Sequence, residues 1–600
     1  MTTNSLPARS ELPIDSTWAL ESIYGSDADW ERDFARVTAM LPQVAAYQGR
    51  LGESADTLLR ALRTRDEAGE ILGRLVVYSH MRQHEDTANS VYQALSDRAT
   101  TLASDFGAAA SYMTPEILAI PEEGLRAFLA AQPGLQIYRH ALDEILRERE
   151  HVLPAPMEAL LAQASEIGDA PERIFGMLNN ADLKLPTVHD DQGHEVQLTQ
   201  GTYVPRFLES RNREVRREAF TAMLGTYHGM RNTLAATLAA NVKRDLFYAR
   251  ARHYTSALQA ALHPHNIPIS VYDTLVETVN RNVPVLQRYL ALRKRALALD
   301  ELYMYDLYVP IVPEIEYKVT YEQARETVAH ALAPLGEPYG RVLQEAFTTR
   351  WIDVPENRGK RSGAYSWGAY GTKPFVLLNY QENLDNMFTL AHEMGHAMHS
   401  HFTWSTQPYV YGGYTIFVAE VASTLNEALL THYLLQTTED RALRLYVINH
   451  YLESFRTTLY RQTLFAEFER DVHARAEAGE AVTADLLTAA FKSLNDRYYG
   501  PTVTVDELIG TEWARIPHFY SSFYVYQYAT GISASVALAQ RIIDEGLPAV
   551  ERYLRFLSSG SSDYSIHLLR DAGVDMSTPA PVQQALDTFG RYVAEMEQLI

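Results

Sequence analysis

The sequence predicts a mainly α-helical protein of two lobes, with one small β-sheet beside its most chemically loaded helix. Three observations lead there. Apolar residues recurring at i, i+3, i+4 and i+7 dominate the 600 residues, whereas strand-like runs are confined to two places. A chain of this length with 46% apolar residues can bury a large core, and its length favours more than one lobe.

Taken in order, long helices are expected over residues 56–80, 90–112, 210–250, 271–299 and 446–476. Between the second and third, Leu185-Pro-Thr-Val and Glu195-Val-Gln-Leu flank Asp190-Asp-Gln-Gly, which reads as a hairpin. A first lobe is expected to end near it, leaving residues 1–200 as an N-terminal helical lobe and 201–600 as the domain that carries the chemistry. The second strand-like region, residues 363–379, contains Pro374-Phe-Val-Leu-Leu-Asn379, suited to a buried or an edge strand. An edge strand there would be able to take an extended peptide into the sheet.

The next helix begins at Asp385, the expected N-cap, and places Phe388, Ala391, Met394 and Met398 on its apolar face. It carries His392-Glu-Met-Gly-His396. In a helix, residues i and i+4 share a face about 6 Å apart along the axis, so both imidazoles can close on one small cation. Zinc suits that pair, and Glu393 sits beside the metal rather than on it, where a carboxylate can take a proton from water. Gly395 lowers helix propensity by roughly 1 kcal/mol relative to alanine, and its presence points to close approach of backbone or ligand.

A catalytic zinc takes three protein ligands and keeps one position open. His399 lies about 10.5 Å along the axis from His392, too far to share an ion whose Zn–N bonds are about 2.1 Å, and His401 points elsewhere. Both are expected to be supporting residues. The segment from Thr415 forms a second helix on which Glu420, Ser423, Thr424 and Glu427 make a polar stripe among Phe417, Val418, Val421, Ala422, Leu425 and Leu429. Gly412-Gly413 reverses the chain between the two helices, so Glu420 becomes the expected third ligand, with one zinc per chain. Glu427 is the expected hydrogen-bond partner of a ligating histidine. His263-Pro-His265, with no matching carboxylate, is discounted as a metal site.

Composition narrows the class. The 53 basic and 75 acidic residues give a net charge of −22, which disfavours nucleic acid and anionic membrane surfaces as partners. With no cysteine there is no disulfide, thiolate ligand or cysteine nucleophile, and any metal must be held by histidine and carboxylate. No apolar run of about 18 residues and no leader pattern occurs, so a soluble cytoplasmic protein is expected. Neither a phosphate-binding glycine loop nor a Gly-x-Ser-x-Gly elbow is present.

His-Glu-Met-Gly-His-Ala-Met-His399 followed by Phe417-Val-Ala-Glu-Val-Ala-Ser-Thr424 resembles the thimet-type oligopeptidases, and within them the oligoendopeptidase F branch. The resemblance runs from Trp18-Ala-Leu and Tyr24 through Tyr365-Ser to the C-terminal aromatic segment. It implies a two-lobed helical zincin-like metallopeptidase with a deep central cleft that admits short unstructured peptides. It also implies His392, His396 and Glu420 as zinc ligands and Glu393 as base. Between Trp513 and Tyr528 the chain is dense in aromatic hydroxyls, offering donors to an oxyanion or a peptide backbone. In the family a histidine and tyrosines from such a segment line the cleft. This implies His518, with Tyr524 and Tyr526 as the tyrosines, although a helical stretch would instead group Tyr520, Tyr524 and Tyr528. Tyr411-Gly-Gly-Tyr414 reads either as a mobile substrate loop or as a simple connecting turn.

The expected reaction is hydrolysis of internal peptide bonds in oligopeptides. A zinc exopeptidase and a non-catalytic peptide-binding protein with a vestigial motif are the alternatives, and the oligomeric state is left open.

Overall fold

The computed structural model describes residues 6–312 and 317–600. The chain forms two compact units, each discontinuous in sequence. The first comprises Met1–Arg149, Glu316–Tyr433 and Leu538–Gly573; the second comprises Glu150–Ile315, Leu434–Ala537 and Val574–Ile600. The boundary expected at residue 200 therefore falls inside the second unit. Local periodicity marks where elements begin and end, but long-range contacts decide which elements share a core.

In the first unit, helices Asp27–Ala45, Ala55–Glu85 and Ser90–Ala110 pack together. Ser26, Ser54 and Asn89 cap them by accepting hydrogen bonds from backbone N–H groups that the first turn leaves unpaired. Their apolar faces enclose a core around Trp18, Trp30, Leu58, Leu75 and Met81, and the Trp30 indole N–H donates to the Leu75 carbonyl at 3.0 Å. A three-stranded sheet joins that core. Phe375–Leu377, left above as buried or edge, is its central strand, parallel to Ile352–Asp353 and antiparallel to Tyr365–Trp367. A continuous apolar run suits a strand covered on both faces, and all three of its residues are buried. Tyr365–Trp367 and Ile352–Asp353 are its two edge strands.

The motif helix spans Leu384–Thr406. Its N-cap is Asn383 rather than Asp385: the Asn383 side chain accepts from the Asn386 N–H at 2.9 Å, and Asp385 lies in the first turn, where its charge complements the helix dipole. The carboxylate helix that follows spans Ile416–Thr437.

The second unit is also helical, but its helices are shorter than periodicity suggests. The expected helix 210–250 is two, Arg213–Gly229 and Arg231–Ala251, separated at Met230, whose backbone is not helical (φ −105°, ψ 5°). The expected helix 271–299 is likewise split into Ile269–Arg281 and Val283–Ala296, with Pro284 in the first turn of the second, where its missing N–H costs nothing. Residues 446–476 fall in Arg441–Ser454 and Arg461–Glu477, joined by a wide π-type turn, Phe455–Tyr460. The expected hairpin is present, with Thr187–His189 antiparallel to Glu195–Gln197 and Val188 opposite Val196. Among the described residues, no helix is long and apolar enough to cross a membrane.

Candidate metal centre

The motif and carboxylate helices cross at Gly395. A β-carbon there would lie 2.5 Å from both the Ala422 carbonyl oxygen and the Ser423 Cα, so only glycine permits this approach. Asn426, fully buried, fixes the crossing: its amide donates to the Ala391 carbonyl at 3.0 Å and its oxygen accepts from the Tyr339 hydroxyl at 3.0 Å. The carbonyl it holds belongs to the residue just before His392, so the pairing sets the height of one helix against the other where the motif begins.

The crossing brings His392, His396 and Glu420 together, with one potential ligand atom from each within 4.8 Å of the others. Glu420 Oε2 lies 3.4 Å from His392 Nε2 and 3.5 Å from His396 Nε2. Glu427 lies on the far side of the first imidazole, its Oε1 2.5 Å from His392 Nδ1. That contact holds a proton on Nδ1, so Nε2 is the nitrogen that faces Glu420 and that would offer its lone pair to a metal. Ser423 donates its hydroxyl to Glu420 Oε2 at 2.9 Å, and the Thr424 hydroxyl donates to the Glu420 carbonyl at 2.6 Å. The expected polar stripe is thus a scaffold for one carboxylate and one imidazole.

Three electron-pair donors facing one another repel unless a cation or protons lie among them. Without a metal, protons serve. Burial works against charging His392, but Glu427, Glu393 and Glu420 outweigh it and raise its pKa to about 9. Burial would raise the Glu420 carboxyl, yet His396, His392 and Ser423 hold it down to about 2. The donor set also fits a metal. A tetrahedral ion with bonds of about 2.0–2.1 Å separates its ligands by about 3.3–3.4 Å, close to the spacings found here. Glu393, 7% exposed, completes the group, and burial pushes its carboxyl above the usual range, against the pull of His392 and His396.

Comparison with known proteins agrees with this geometry. The model of peptidase family M3 matches residues 206–588, and the oligopeptidase F model matches residues 116–184. The chain belongs to peptidase family M3. It is 51% identical to oligopeptidase PepF of Bacillus subtilis over 597 residues, covering 100% of this chain and 89% of that protein. It is 42% identical to the group B oligopeptidase PepB of Streptococcus agalactiae, covering 99% of this chain and 98% of that protein. Among solved structures, oligoendopeptidase-F from Enterococcus faecium matches with a TM-score of 0.75 at 39% identity, covering 96% of this chain and 99% of that one. A peptidase structure from Chlamydophila abortus matches at 0.94 with 34% identity, covering 99% and 100%. The protein is accordingly a metalloendopeptidase of mainly α fold.

The remaining expected residues of this M3 peptidase are placed as follows. His399 is buried and stacked on Tyr414 (ring centroids 3.8 Å apart, planes at 5°), and burial lowers its pKa to about 3; His401 packs near Trp351. Neither belongs to the donor set. Residues 411–414, read either as a mobile loop or as a connecting turn, make two polar contacts: the Tyr414 and Ser400 hydroxyls are 3.1 Å apart, and the Ala141 N–H donates to the Tyr411 hydroxyl at 3.3 Å. Gly560, at φ 52°, packs on the Tyr411 and Gly413 carbonyls. His263 is part of an aromatic cluster with His151 and Tyr254.

His518, Tyr524 and Tyr526 belong to the second unit. His518 lies parallel to Tyr524 (6.3 Å, 21°) and edge-on to Tyr528 (6.2 Å, 79°), and those two tyrosines meet at 5.5 Å. Tyr526 departs from the expectation. It is 2% exposed and packs on Tyr272 at 5.0 Å. Of the alternative grouping, Tyr528 does lie beside Tyr524 and His518, whereas Tyr520 stacks on Phe175 at 4.4 Å. Phe523 takes a left-handed backbone (φ 61°) held by its N–H donating to Glu469 Oε1 at 3.0 Å, which turns the chain between Ser522 and Tyr524. Asn426 was missed, because a buried asparagine carries no sequence signal of its partner.

Proposed function

We propose that this M3 peptidase hydrolyses internal bonds of short, unstructured oligopeptides with one zinc ion held by His392, His396 and Glu420. The reading rests on one observation: three ligand atoms converge beside a fourth group, the buried carboxylate of Glu393. Zinc, when bound, supplies a Lewis acid and brings the pKa of its water towards about 7. Glu393 takes the proton from the attacking water and passes it to the departing amine nitrogen, one carboxylate acting as base and then as acid. Burial suits it to both, since a carboxyl raised above its usual range holds a proton more readily in the second step. Glu427 holds His392 in the tautomer that presents Nε2. The imidazole of His518 and the hydroxyls of Tyr524 and Tyr528 are the proposed donors to the carbonyl oxygen or the peptide backbone. The free side of Tyr365–Trp367, which pairs only with Phe375–Leu377 among the described residues, suits an extended substrate. A cytoplasmic location is part of the proposal.

A ladder of peptides blocked at both ends, digested with and without a zinc chelator and read by mass spectrometry, tests this directly. Internal cleavage that the chelator stops is expected. Intact blocked peptides beside trimmed unblocked ones would assign an exopeptidase, and metal-free protein that binds peptides without cleaving them would assign a vestigial site.

A further inference from the structure

The second unit contains a small, largely enclosed cavity whose charge its own residues do not balance. Its polar walls are Arg456, Arg461, Arg515, Glu512 and the phenols of Tyr203, Tyr308 and Tyr499. The surrounding ion pairs follow one pattern, two arginines to each carboxylate. Glu453 accepts from Arg293 at 2.9 Å and from Arg456 at 2.6 Å, and Glu512 Oε1 accepts from Arg461 at 2.8 Å and Arg515 at 3.3 Å. Four guanidinium groups thus share two carboxylates. Asp306, fully buried beside the cavity-lining Met304 and Leu307, repeats the pattern with Arg213 at 2.8 Å and Arg216 at 2.7 Å.

An uncompensated charge out of water is costly, and Arg456 is 1% exposed. It spends Nε and Nη2 on Glu453 and lies over the Tyr308 ring at 4.8 Å. The Arg515 Nε is buried without an acceptor, and Glu512 Oε2 without a donor. Burial raises the hydroxyls of Tyr203 and Tyr499 above their ordinary value, so these two remain O–H donors rather than phenolates. The cavity volume is about 30 Å³, and one water needs about 10–15 Å³. That suits one monatomic ion and excludes a peptide or a nucleotide.

We propose that this cavity binds a halide, chloride in the cell, as the counter-ion of the Arg456, Arg461 and Arg515 cluster. Water fills the same space but leaves the charge unbalanced. The site is independent of the reading given above for the metal centre.

The test uses the full-length, zinc-loaded protein. Thermal unfolding is followed as sodium gluconate is replaced stepwise by sodium chloride or bromide at constant ionic strength. The expected result is a saturable rise in Tm of a few degrees that both halides produce and gluconate does not. Crystals soaked in bromide should show an anomalous peak in the cavity. Arg456→Met should abolish the saturable rise; should that variant fail to fold, Tyr499→Phe, which removes one donor, should raise the half-saturating halide concentration about threefold to tenfold. Superimposable chloride and gluconate curves, or a cavity holding only water in bromide-soaked crystals, would overturn the proposal.

Discussion

At the residue scale, the proposed centre assigns some groups to holding a metal and one to moving a proton, and the two roles predict different losses. Glu393→Gln keeps size and hydrogen bonding but removes the base. Zinc content by atomic absorption should stay at one per chain, while kcat falls by about 10²–10⁴-fold; near-normal turnover would remove Glu393 from the mechanism. Glu427→Ala should act through His392 instead. Freed from its partner at 2.5 Å, the imidazole loses its fixed tautomer and orientation, and zinc affinity measured by competition with a chromophoric chelator should weaken about 10–100-fold. Unchanged affinity in that variant would reduce Glu427 to a bystander.

At the element scale, the helix crossing and one edge strand each have a weak point. Gly395→Ala places a methyl group against the backbone of the carboxylate helix at 2.5 Å, so the helices must separate. A destabilisation of about 1–3 kcal/mol in urea is expected, with zinc affinity reduced alongside; a variant as stable as the parent would contradict the contact. On the edge strand, the Tyr365 hydroxyl lies 2.7 Å from His84 Nδ1, and Arg361 donates to His84 Nε2 at 2.9 Å. Because Arg361 can only donate, His84 must be neutral here. Burial, reinforced by Arg361, lowers its pKa to about 4 from 6.5. The unfolded chain therefore binds more protons between those values. The contribution is complete above about pH 6.5 and is lost as pH falls towards 4, and it amounts to about 3 kcal/mol. Urea midpoints measured between pH 7 and 4 should fall in the parent and depend less steeply on pH in His84→Gln.

At the scale of the whole molecule, the discontinuous units make the linear division at residue 200 a poor place to cut. Fragments 1–200 and 201–600 each separate segments that share a core, so neither should show a cooperative thermal transition by circular dichroism. A cooperatively folding 1–200 fragment would speak for the sequential arrangement. Metal removal should register here as well. Zinc ties the motif helix to the carboxylate helix in the proposed state, so chelation should lower the Tm of the full chain by several degrees, and re-addition of zinc should restore it.

The sequence by itself determined the helical class, the hairpin, the motif helix and, through two i, i+4-type stripes, the four residues of the proposed centre. Those signals are local: the period of a helix decides which side chains share a face, and a rare set of donor types on one face leaves few other uses for them. Only the tertiary structure decided the rest. It made Phe375–Leu377 central and Tyr365–Trp367 an edge, turned Tyr526 inward and set Tyr528 beside His518, brought Asn426 onto the Ala391 carbonyl, and gathered each unit from three separate stretches of chain. These outcomes depend on which surfaces meet across long sequence separations. Packing and the pairing of buried polar groups settle that, and neither leaves a periodic trace in the chain.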